Sequence, residues 1–86
     1  MYLTKSLNKI AYISTVTGHV AEVVDGKDGF NEFAIKRTDE QTKALREYNR
    51  AMETNSELMV DIIKYNSFIA YYKKATILYK KNKMIR

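Results

Sequence analysis

The spacing of apolar positions changes near residue 38. Before it, two runs are rich in β-branched residues, Ile10–Val16 and His19–Val24, and Gly18 lies between them. Such runs favour strands, and Thr17-Gly18 suits a hairpin turn because glycine supplies the positive φ these turns need. Asp25-Gly-Lys-Asp-Gly29 marks a second turn. A third strand follows over Phe30–Arg37, where Phe33 and Ile35 alternate with Glu32, Ala34 and Lys36. Residues 1–37 therefore predict a three-stranded antiparallel β-meander, which needs a cover on its apolar face.

From Thr38 onward there is no glycine or proline, and the composition favours helix. Thr38-Asp-Glu-Gln41 has the spacing of a capping box, and Asp39 and Glu40 suit the positive end of a helix dipole. Ala44, Leu45, Tyr48 and Met52 then form one apolar stripe. A second capping-box pattern at Thr54-Asn-Ser-Glu57 predicts a break at 53–55 and a second helix from about Asn55 to Lys83. The alternative is one helix over 39–83, because positions 45, 48, 52, 55, 59 and 62 also fit a heptad. A helix running to Lys83 would be about 40 Å long at 1.5 Å per residue, longer than so small a body. It is expected to project past the sheet or pair with another chain. Leu58, Met59, Ile62, Tyr65 and Ile69 would share one face, with Lys73, Lys80 and Lys83 in or beside the same arc. Val60, Tyr71 and Leu78 form a thinner stripe on the opposite side, a candidate protein interface. The expected architecture is α+β: a three-stranded antiparallel meander (1–37) and two helices (38–86), in one domain, with the last helix long and basic.

Charge sharpens this picture. The chain has 86 residues and a net charge of +5, but the first 61 hold eight basic and ten acidic groups, for −2. Residues 62–86 carry Lys64, Lys73, Lys74, Lys80, Lys81, Lys83 and Arg86 with no acid, for +7. Such asymmetry points to an anionic partner. Other chemistries lack their residues. There is no cysteine and a single histidine, so neither a thiolate nucleophile nor a metal site is expected. Asp25–Gly29 lacks the spacing of a phosphate loop and the oxygen ligands of a calcium loop. His19 is expected at a strand end, with Glu22 on the opposite face and no nucleophile marked nearby. No cofactor is expected. No apolar stretch has signal-peptide or membrane-spanning length, and a cytoplasmic location is the expectation.

The strongest functional signal is a repeat. Tyr-Lys-Lys occurs at 72–74 and again at 79–81, seven residues apart and so on one side of a helix. Lysines neutralise phosphates, and tyrosines offer flat contact area to bases or sugars. The scarcity of arginine argues against bidentate reading of guanine. The sequence therefore predicts a non-enzymatic binding protein whose basic helix docks on nucleic acid or a nucleoprotein. Lys73, Lys74, Lys80, Lys81 and Lys83 would supply charge, and Tyr72 and Tyr79 flat surface. Two alternatives stand beside it. One is an accessory protein of the phage type that regulates or inhibits a host protein through the apolar stripe of the long helix, an acidic protein surface being a further anionic partner for the lysines. The other is a homo-oligomeric assembly unit, such as a dimer through the long helix. The Lys-, Ile-, Asn- and Tyr-rich usage is similar to that of small phage proteins, without a motif behind it.

Overall fold

A computed structural model describes residues 1–85, with side chains through Lys83. The elements run β1 (Tyr2–Thr4), α1 (Leu7–Thr17), β2 (Glu22–Asp25), β3 (Asn31–Ile35), α2 (Asp39–Thr54) and α3 (Ile62–Ile85). The expected α+β class is present, with a three-stranded antiparallel sheet and a long C-terminal helix. The placement of its first half is different. The sheet order is β1-β3-β2, so it is not a simple meander, and the strand expected at Ile10–Val16 is the core helix α1.

The reason lies in how α1 is surrounded. Ile10, Ala11, Tyr12, Ile13 and Ser14 are five consecutive buried residues. A helix enclosed on all sides loses its polar face and reads as a continuous apolar run. Packing then outweighs the modest preference of β-branched residues for strands. Thr15 and Thr17 adapt by donating their hydroxyls to the carbonyls of Ala11 and Ile13. Ser6 is the N-cap, its hydroxyl accepting from the Lys9 N–H. Gly18 closes the helix at φ 77° and donates its N–H to the Ser14 carbonyl at 2.8 Å. Positive φ serves a helix end as well as a hairpin, so glycine alone did not distinguish them.

Strand β3 pairs with both neighbours: Thr4 and Val23 lie opposite Phe33, and Tyr2 lies opposite Ile35. Residues directly opposite share a face. One face thus carries Tyr2, Thr4, Val23, Asp25, Asn31, Phe33 and Ile35, and the helices cover it. Residues 25–30 form the expected second turn, with the Gly26 N–H on the Phe30 carbonyl at 2.7 Å.

Helix α2 begins as the sequence indicates: the Thr38 hydroxyl accepts from the Gln41 N–H at 3.0 Å. The reciprocal bond is not made, because Gln41 turns inward and is buried. The break also falls where expected, but a different device makes it. Asn55 adopts the left-handed conformation (φ 54°), and its N–H and that of Ser56 close on the Ala51 carbonyl. The Thr54–Glu57 pattern does not start a helix. Residues 55–61 are a linker, and Asp61 caps α3 by accepting from the N–H groups of Ile63 and Lys64, both at 3.1 Å. The unbroken heptad helix is thereby excluded, and Leu58, Met59 and Val60 precede α3 rather than lying on it. Of these, Leu58 and Val60 pack against the core. Among the described residues no helix is long and apolar enough to cross a membrane.

Candidate functional site

Helix α3 crosses the covered face of the sheet, and its inward side is aromatic. Tyr65, Phe68 and Tyr72 follow at spacings of three and four and pack on the core. This replaces the expected face of Leu58, Met59, Ile62, Tyr65 and Ile69. Tyr72 is 0% exposed. Its ring meets Phe33 edge-on at 5.2 Å and stacks with Phe68 at 6.0 Å. Its hydroxyl accepts from the Ala21 N–H at 2.9 Å and shares a 2.6 Å hydrogen bond with the Ser14 hydroxyl. Tyr72 is therefore a core residue and not a contact surface. A buried phenol needs partners, and here it joins α1, the loop before β2, and α3.

Seven residues on, Tyr79 is half-buried and donates to the Asp25 carboxylate at 2.5 Å. Lys83 donates to the same oxygen at 2.7 Å, an ion pair about half exposed on both sides. Asp25 raises the Lys83 pKa through that hydrogen bond and its charge. The two residues fasten the end of α3 to β2, so the helix does not leave the sheet where the lysines begin. Lys83 does not stand among the unpaired cations, and Arg86 lies outside the described residues.

Lys73, Lys74, Lys80 and Lys81 are exposed and form no ion pair among the described residues. Their spacing splits them into two rows, Lys73 with Lys80 and Lys74 with Lys81, each about 10 Å from one lysine to the next. The first row borders a groove of about 460 Å³ between α3 and the β1–β3 side of the sheet. Its lining is cationic at Lys5, Lys73 and Lys80, apolar at Leu7, Phe33 and Ile77, and holds no acid. Lys5 comes from the β1–α1 connection. It is bridged to Asp28 and lies 5.5 Å from the centroid of the Phe30 ring. That bridge, with the Phe30 N–H, holds the Asp28 carboxyl below its usual range. Sequence reasoning missed Lys5 and Phe30, because only the tertiary fold brings the β1–α1 connection and the β2–β3 turn together beside this groove. It also missed Ile77, which lies on α3 itself between Lys73 and Lys80.

The other flank of α3 is different. Tyr71 (53% exposed) and Leu78 (49% exposed) border a groove of about 430 Å³ beside Ala21, Glu22 and Val23. A smaller apolar hollow joins Tyr71 to Val20 and Phe68. The expected stripe thus keeps Tyr71 and Leu78 but loses Val60, which sits in the linker against the core. His19 lies half-buried in the loop before β2 with its Nδ1 enclosed and unbonded. Among the described residues no group of three or more His, Cys, Asp or Glu could hold a metal ion. No family model, curated protein or solved structure matches the chain.

Proposed function

We propose that this chain is a non-enzymatic binding protein that docks on nucleic acid through the outward lysines of α3. The observation that carries the reading is the exposure of Lys73, Lys74, Lys80 and Lys81 without an acidic partner among the described residues, on a helix anchored in the core through Tyr72. A rigid, regularly spaced row of ammonium groups suits a polyphosphate backbone, where affinity comes from counterion release. Lysine acts as a point charge, so little sequence preference is expected. The test is fluorescence anisotropy with labelled DNA and RNA across a salt series, using the Lys73, Lys74, Lys80 and Lys81→Gln quadruple variant. Binding should weaken and its salt dependence flatten by about 3 in log–log slope, near 0.7–0.9 per phosphate contact. Unchanged binding by the quadruple variant would contradict the reading.

A second reading rests on the exposed Tyr71 and Leu78, which suit an apolar partner surface on the opposite flank. A host protein or a second copy of this chain would fill it. Such binding would survive moderate salt and be lost in Tyr71→Ala with Leu78→Ala. Light scattering would distinguish self-association.

A further inference from the structure

We infer that the groove bordered by Lys5, Lys73 and Lys80 takes single-stranded nucleic acid in preference to duplex. This deepens the proposed function and rests on it. Two features in and beside the groove would be wasted on a duplex, whose bases are stacked inside and whose backbone needs only charge. The first is its apolar lining at Leu7, Phe33 and Ile77, the last 64% exposed. The second, beside the groove, is Phe30, a phenyl ring 70% exposed at the end of the β2–β3 turn, next to β3. The segment beneath that ring is fixed: the Phe30 N–H donates to Asp28, and its carbonyl accepts from Gly26. Lys5 lies over the ring and also lines the groove, which places the ring beside the cationic surface.

A single strand offers what these features match. Its bases present open faces that stack on aromatic rings, while its phosphates follow a cationic track. In the groove, Lys73 and Lys80 stand about 10 Å apart along α3, with Ile77 between them. Phosphates would lie on these two lysines, Lys5 being paired with Asp28, and a base would rest on Phe30. No acid lines the groove, and Asp28 is already bridged to Lys5. Absence of arginine from the lining removes bidentate reading of guanine, and the preference inferred is for strandedness.

The experiment compares a labelled single-stranded oligonucleotide with its duplex of equal length, at equal salt, for the full chain and four variants. The expected order is single strand tighter than duplex. Phe30→Ala should weaken the single strand about five- to a hundredfold, the range for loss of one stacked base, and leave the duplex within about twofold. Phe30→Tyr should restore it, and circular dichroism should show both variants folded. Lys73→Gln with Lys80→Gln should cost more single-strand affinity than Lys74→Gln with Lys81→Gln. Equal or tighter duplex binding, or Phe30→Ala moving neither ligand, would overturn the inference while leaving the lysine reading intact. Displacement of the oligonucleotide by polyglutamate at equal charge would also overturn it, by showing an unselective anion surface. No binding of either nucleic acid would overturn both.

Discussion

The two copies of Tyr-Lys-Lys in α3 have the same composition and different fates. In the first, Tyr72 is wholly enclosed and bonded to Ser14 and Ala21. In the second, Tyr79 is half-buried and bonded at the surface to Asp25. Their lysines, by contrast, behave alike and are exposed in both copies. The comparison shows that a repeat on one helix face does not specify one function. What lies opposite each copy decides it: α1 and the core for the first, the end of β2 for the second. Tyr72 anchors the helix in the core and Tyr79 ties its end to β2 at the surface, which leaves the lysines displayed on the outer side.

The largest expected effect breaks this symmetry outright. Tyr72→Ala should cost about 3–5 kcal/mol in urea unfolding, the range for emptying a buried aromatic site, and much of the stability of so small a protein. Tyr79→Ala should cost less than about 1 kcal/mol, as for other surface changes. Similar losses at both positions would erase the distinction. A finer version removes only the hydroxyl. Tyr72→Phe leaves the Ala21 N–H and the Ser14 hydroxyl without their partner, for about 1–3 kcal/mol, whereas Tyr79→Phe should stay within about 0.5 kcal/mol.

Much of this arrangement was legible in the sequence, and the misses have physical causes. The Thr38 cap was legible because capping is local and its donor lies three residues away. The break before Asn55 was legible as a position, although the left-handed Asn55 and the Asp61 cap make it. Helix α1 was not legible, because burial on every side removed the periodicity that identifies a helix. The exposure of the α3 lysines was legible from their charge and repeat. Lys5 and Phe30 were not, because nothing in their local sequence records that the β1–α1 connection, the hairpin and α3 come together. Tyr72 was misassigned for the same reason, since its partners are 51 and 58 residues away.

The smallest effects sharpen the comparison at its edges. Lys5→Gln should let the Asp28 carboxyl rise towards its ordinary value near 3.8, read by an NMR titration, because the Lys5 hydrogen bond is the first cause of its depression. The sign follows: a depressed carboxyl contributes stability above its unfolded pKa and loses it as pH falls through the folded one. In the Lys5→Gln variant that acid-side loss should shrink. An unmoved Asp28 would mean that the Phe30 N–H alone sets its titration.

The central claim is that the lysines, and not the tyrosines, carry binding. The most direct measurement is the salt dependence of single-strand affinity for Lys73→Gln with Lys80→Gln beside Tyr79→Phe. The lysine pair should reduce the log–log slope by about 1.4, or 0.7 per lost phosphate contact, with unfolding free energy unchanged within about 0.5 kcal/mol. Tyr79→Phe should leave the slope where it was. An unchanged slope in the lysine variant, or a loss of affinity confined to Tyr79→Phe, would contradict the account.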